Sequence, residues 1–148
     1  DERIKFQIDC TDVIESQVFS SFSEEIIFTD KHPLLLKYHE SHGHLFFSSR
    51  PPNAYEVLGI LWETHEDIFD GWRPLTDYIN THHEVYEGSF GQIADGPISL
   101  LEAYKESLQN KMKLYIVTTH DRPVDNYKAL VFDDCYVICK NVKVNKII

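Results

Sequence analysis

From Ile4 to Cys10 the apolar residues Ile4, Phe6, Ile8 and Cys10 alternate with polar or charged ones. A period of two predicts a half-buried strand. Residues 11–22 are ambiguous: Val13, Ile14, Gln17, Val18 and Phe22 fit a short helix only weakly. Glu25 to Phe28 reads as a short strand. Leu34 to His39 and His44 to Ser49 read as the two arms of a hairpin, turning through Glu40-Ser41-His42-Gly43.

Pro51-Pro52-Asn53 then changes the period. Asn53 is a suitable N-cap, and Val57, Leu58, Leu61, Trp62, His65, Ile68 and Phe69 recur at helical spacing up to Asp70-Gly71. Pro74 opens a short second helix with Leu75, Tyr78 and Ile79. Glu87 to Gly96 reads as a glycine-containing connector. Asp95-Gly96-Pro97 starts another helix with the stripe Ile98, Leu101, Tyr104, Leu108 and Met112. The remainder is strand-like: Leu114–Thr119, Tyr127–Phe132 and Cys135–Val144, with Asp133-Asp134 as the turn between the last two. Strands, then helices, then strands predict an α+β fold: a largely antiparallel sheet from the N- and C-terminal thirds, packed against two main helices from the middle third. With 148 residues, a single globular domain over 1–148 is expected.

Charge sharpens this picture. Residues 1–55 carry 9 acids and 5 bases, residues 56–106 carry 11 and 2, and residues 107–148 carry 4 and 7. The net −10 therefore arises almost wholly in the middle third. Such a field repels nucleic acid and anionic membrane and speeds encounter with basic partners. No apolar run is long enough to span a bilayer. The N-terminus lacks the basic start and apolar run of a signal peptide. Cys10, Cys135 and Cys139 form no Cys-x-x-Cys pair, which fits a reducing compartment. A cytoplasmic setting is the expectation.

The acid is densest on the first long helix. Glu56, Glu63 and Asp70 are seven apart, with Glu66 and Asp67 beside them, and no Lys or Arg lies between Pro51 and Trp72. Like charges three or four apart cost about 0.2–0.5 kcal/mol per pair. Acids near the helix C-terminus also oppose the helix dipole. A solvated face that only aids solubility explains these residues. A docking face for a basic protein explains them too, extended by Trp72, Arg73, Asp77 and Tyr78. Immunity and antitoxin-type inhibitors, which neutralise basic toxins, are the class that this size and charge suggest. The candidate partner-binding residues are therefore Glu56, Glu63, Glu66, Asp67, Asp70, Trp72 and Asp77. The competing readings are an enzyme or small-ligand domain with a pocket between sheet and helices, and a module that forms homo-oligomers through its sheet.

Other chemistry is weaker. His39, His42 and His44 would surround the expected hairpin turn, yet their spacing matches no common zinc module. Cys135 and Cys139 lie on a strand apolar on both faces, which suits buried, inert thiols. Asp133-Asp134, with Asp121 and Asp125 in the preceding loop, could bind a hard cation or share a proton, but aspartates in a turn need no such role. His65 falls on the apolar stripe as a core histidine. His120 follows a strand without an identifiable partner. The Glu87–Gly96 glycines match neither the phosphate-loop nor the dinucleotide pattern. No catalytic residue, metal or cofactor is assigned.

Overall fold

The computed structural model describes residues 3–19, 22–120 and 126–147. Nine strands and three α-helices are described, in the order β1 (Lys5–Thr11), β2 (Glu15–Gln17), β3 (Ile27–Thr29), α1 (Leu36–His39), β4 (His42–Phe47), α2 (Ala54–Phe69), β5 (Gly91–Pro97), α3 (Ile98–Leu108), β6 (Leu114–His120), β7 (Lys128–Phe132), β8 (Cys135–Cys139) and β9 (Asn141–Ile147). All the pairings between strands are antiparallel. The α+β class and the two main helices of the middle third are as the sequence pattern predicts. The chain forms two compact units, one from residues 1–35 and 125–148 and one from residues 36–124.

In the first unit, β2-β8-β7-β3 form one sheet and β1-β9 a separate two-stranded ribbon. β8 is an inner strand, and Cys135, Tyr136, Ile138 and Cys139 are all buried on it, on both faces. Asp133 takes a left-handed φ of 52° in the turn between β7 and β8, where a short polar side chain is tolerated. The expected continuous strand from Cys135 to Val144 divides at Lys140, whose N–H donates to Thr11 O at 3.1 Å. Beyond it, β9 joins β1 instead of β7.

The weak helical pattern of residues 11–22 is corrected where that segment is described, over residues 11–19 and 22. Asp12 is left-handed (φ 56°), and Glu15–Gln17 pair with β8, with Tyr136 Oη donating to Glu15 Oε2 at 2.7 Å. Non-local pairing outweighs a weak helical pattern. The strand expected over Glu25–Phe28 is seen shifted, as Ile27–Thr29.

In the second unit β4 is the central strand, flanked by β5 and β6. Its Gly43, Leu45 and Phe47 are buried, while His42, His44 and Phe46 on the other face are half-buried. Helix α3 packs on all three strands, and α2 packs on α3. Tyr78–Asn80 runs along the outer edge of β5: Asp95 N–H donates to Tyr78 O (2.9 Å) and Asn80 N–H to Ile93 O (2.6 Å). Two expectations fail here. Leu34 to His39 is helical, not a hairpin arm, because His32 takes the Leu35 N–H on its carbonyl (2.9 Å) and the Leu34 N–H on Nδ1 (3.2 Å). Pro33 after this cap suits the first helical position. Within Glu87–Gly96, Gly91–Gly96 belong to strand β5, not to a loop. Gly91 is there for contact: a Cβ at that position would meet Val85 Cγ1 at 2.6 Å and the Phe47 ring at 3.1 Å.

Helix α3 begins at Pro97, which has no capping side chain. Its first free amides are taken from elsewhere: Ile98 N–H by Ser41 O (3.0 Å) and Ser99 N–H by Glu40 Oε2 (3.2 Å), which also accepts from Ser99 Oγ at 2.6 Å. A carboxylate at a helix N-terminus is stabilised by the dipole.

Helix α2 is held by His65, which is fully buried. Its Nε2 lies 2.6 Å from Arg73 O and its Nδ1 2.6 Å from Tyr104 Oη. A carbonyl only accepts, so Nε2 carries the hydrogen and Nδ1 accepts the tyrosine hydroxyl. Burial, with Tyr78 adding to it, pushes the Tyr104 phenol well above its ordinary range, which keeps that donor protonated. Replacing His65 by Leu leaves a buried hydroxyl and a buried carbonyl without partners. We expect a loss of about 2–4 kcal/mol in urea unfolding, against about 1–2 kcal/mol for Tyr104→Phe, which orphans a single lone pair.

Candidate functional site

The buried side of α2 comprises Val57, Leu61, His65 and Phe69. These positions recur every four residues and fix how the helix is rolled onto α3. Thr64 Oγ1 adds a link, donating to Ile60 O (2.9 Å) and lying 2.7 Å from Ser107 Oγ of α3. Everything on the opposite side follows from that roll. Asn53 caps the start, accepting the Tyr55 N–H at 2.8 Å and the Glu56 N–H at 3.4 Å. Asp70 ends the helix in left-handed conformation, with its N–H on Glu66 O at 2.9 Å, as the sequence predicts.

Glu56, Glu63, Asp67 and Asp70 are exposed on this outer side, and Glu66 is half-buried. Glu56, Glu63 and Asp70 form one row, as the seven-residue spacing requires. The row is not wholly unpaired: Lys111, beyond the end of α3, places Nζ 2.8 Å from Glu56 Oε1. That pair is exposed, so it contributes at most about 1 kcal/mol.

The sequence reading missed the aromatic part of this face. Trp62 was grouped with the apolar stripe, but it lies past the edge of it and is 58% exposed. Tyr55, seven residues earlier on the same strip, is 86% exposed. Gly59 lies between them, and no atom stands within 4 Å of where its Cβ would be. Two flat aromatic groups thus border the carboxylate row, with bare backbone between them. The missed signal was angular: at 100° per residue, Trp62 falls outside the arc from Val57 to Phe69.

Trp72 is half-buried just beyond the helix. Asp77 belongs to a different feature. It lines a cleft of about 300 Å³ with Lys37, His42, Arg73, Tyr78 and Asp95. The cleft holds both signs of charge, and Arg73 in it is buried. Gly96 on its wall is left-handed in φ (155°), and a Cβ there would meet the Tyr78 ring at 2.9 Å.

His39 ends α1 and His42 begins β4, so the hairpin that was to gather three histidines is not formed. His42 Nε2 lies 3.2 Å from Lys37 O. Among the described residues no group of three or more His, Cys, Asp or Glu side chains is placed to hold a metal ion. Also among them, no helix is long and apolar enough to cross a membrane. The side chain of His120 and residues 121 and 125 lie outside what is described.

The thiols are buried as the strand pattern predicts for Cys135 and Cys139, and Cys10 is half-buried. Burial first, and then the neighbouring Cys10, push the Cys139 thiol up to about 11. A thiol so placed is protonated at neutral pH and a poor nucleophile. Compared with protein-family models, with curated proteins and with solved structures, the chain shows no match.

The Cys139 shift sets a direction for pH dependence. Its folded value lies above the ordinary 9.0, so the thiol stays protonated in the fold after the unfolded chain ionises. The stability this contributes is complete below pH 9 and is lost as pH rises toward about 11. Tyr86, pushed up to about 12 by burial, acts in the same direction at higher pH. We expect the urea midpoint to fall over this window, and Cys139→Ala to flatten its lower part.

Proposed function

We propose that the chain is a protein-binding domain that docks a basic partner through the outer side of α2. The observation that carries this is the pairing of exposed Trp62 and Tyr55 with the row Glu56, Glu63 and Asp70 on one helix side. A solvated solubilising face needs carboxylates but has no use for an exposed tryptophan. Exposed large aromatics cost solubility, and interfaces are enriched in Trp and Tyr. The carboxylates then supply the complement to lysines and arginines, raising the association rate and selecting the sign of the partner. Gly59 lets the partner's backbone approach between the two rings.

Residues 36–124, the unit that carries α2, have 13 acidic against 7 basic residues. The long-range field favours the same class of partner. An inhibitor of a basic protein, in the manner of an immunity protein or antitoxin, is the role this arrangement supports best. Its cleft around Arg73 and Asp77 holds balanced charges, which gives the ligand-domain reading a place but no directed chemistry.

The test begins with a photo-crosslinking residue at position 59 in cells of the source organism, which identifies what covers the helix. With that protein purified, affinity is measured by calorimetry. Glu63→Lys with Glu66→Lys should weaken binding at least tenfold and reduce its salt dependence, with an unchanged melting temperature. Trp62→Ala should cost about 2 kcal/mol or more as a central anchor. A partner bound equally well by the charge-reversed chain contradicts the proposal.

A further inference from the structure

The unit formed by residues 1–35 and 125–148 has a feature that the α2 face does not explain. In the β1-β9 ribbon, Ile8 stands opposite Val144 and Cys10 opposite Val142. Directly paired residues share a face. One face of the ribbon is therefore largely apolar, with Phe6, Ile8, Val142 and Val144, while the other carries Lys5, Gln7, Asp9, Lys143 and Asn145, with Ile147 at its end. The polar face meets water in the ordinary way. The apolar face is also open: Phe6 is 60% and Val144 59% exposed.

A second wall faces it. Phe28 of β3 stands opposite Leu130 of β7, and Ile26 precedes them on the chain. Together the two walls enclose a cleft of about 350 Å³, lined by these apolar side chains alone. That is the lower end of the size range of small-ligand sites. Leaving such a cleft to water is unfavourable for each of its walls.

Two lysines share the strand faces that line the cleft, Lys128 with Leu130 on β7 and Lys146 with Val142 and Val144 on β9. Lys128 Nζ sits 5.6 Å from the centre of the Phe28 ring. Lys146 stands opposite Phe6 and so projects from the apolar face, at the position where the alternation of Val142 and Val144 calls for a third apolar residue. An apolar slot with cations on the strand faces that line it has the chemistry of a receptor for a molecule with an apolar tail and an anionic head. We propose that this cleft binds a single-chain anionic amphiphile, a fatty carboxylate, with its alkyl chain between the ribbon and the β3-β7 wall and its carboxylate on Lys128 and Lys146. A second copy of the chain would need a flatter apolar surface and would bury both lysines without a counter-charge.

The test uses the full chain and 11-(dansylamino)undecanoic acid, followed by fluorescence below its micelle concentration. Saturable, one-to-one binding is expected. Displacement by unlabelled carboxylates should tighten about fourfold for each methylene added until the cleft is filled. Lys128→Gln with Lys146→Gln should weaken dodecanoate about tenfold and leave dodecanol unchanged, which separates loss of the head-group site from loss of the fold. Absence of saturable binding, affinity independent of chain length, or equal affinity for acid and alcohol overturns the proposal. So does sedimentation showing a dimer that excludes the probe, since a second copy would then occupy the face.

Discussion

The second unit depends on a buried imidazole. His65 sits in the middle of the apolar side of α2 with both ring nitrogens committed, one to the Tyr104 hydroxyl of α3 and one to the Arg73 carbonyl beyond the helix. Apolar contacts alone tolerate a helix that rolls or slides by a few degrees, because they have no direction. Two short hydrogen bonds in a water-free setting do not, since losing either leaves a buried polar group unmade. The ring also lies 4.6 Å from that of Phe69, so the same residue takes part in the aromatic packing of the helix end. Roll and axial position of α2 are thus set together.

From that setting the outer side follows without further choice. With Val57, Leu61, His65 and Phe69 inward, Tyr55 and Trp62 emerge beside Glu56, Glu63 and Asp70. None of these outer residues is required by the packing beneath. The acidic row even works against the helix through like-charge repulsion and the dipole at its C-terminal end. A surface that the fold tolerates but does not need is where recognition is most easily carried. The same reasoning holds for the β1-β9 ribbon, where Phe6 and Val144 remain in solvent and Lys146 replaces an expected apolar residue.

Local patterns were legible where one segment decides its own structure. Asn53 and Asp70-Gly71 bound α2 through capping chemistry that acts within four residues. The Asp133-Asp134 turn and the buried Cys135 and Cys139 were equally plain, because a two-residue turn and a two-sided apolar run have few alternatives. Segments whose structure is decided by a distant partner were misread. Glu15–Gln17 is a strand because β8 offers it a ladder, and Gly91–Gly96 lies in a strand because β4 needs a second neighbour. Leu34–His39 was lost to a cap made by a histidine, a residue with little capping preference of its own. Of the candidate site, the carboxylate row was visible from its seven-residue spacing. The aromatic border was not, since an apolar residue one step off the stripe looks like part of it until the helix roll is known. Trp72 could not be placed because it lies in the irregular stretch after Gly71; Asp77 ends the short helix expected after Pro74, but the cleft it lines is built with distant Lys37, His42 and Asp95.

The central claim is that α2 separates its work: its inner side supports the fold and its outer side is free for a partner. Urea unfolding of a variant carrying Tyr55→Ser, Trp62→Ser, Glu63→Ser and Asp67→Ser measures this most directly. The account predicts a stability within about 0.5 kcal/mol of the parent, or higher, as for surface positions without structural duties. A loss comparable to that expected on removing His65 would show that the outer side supports the fold, and would contradict the account.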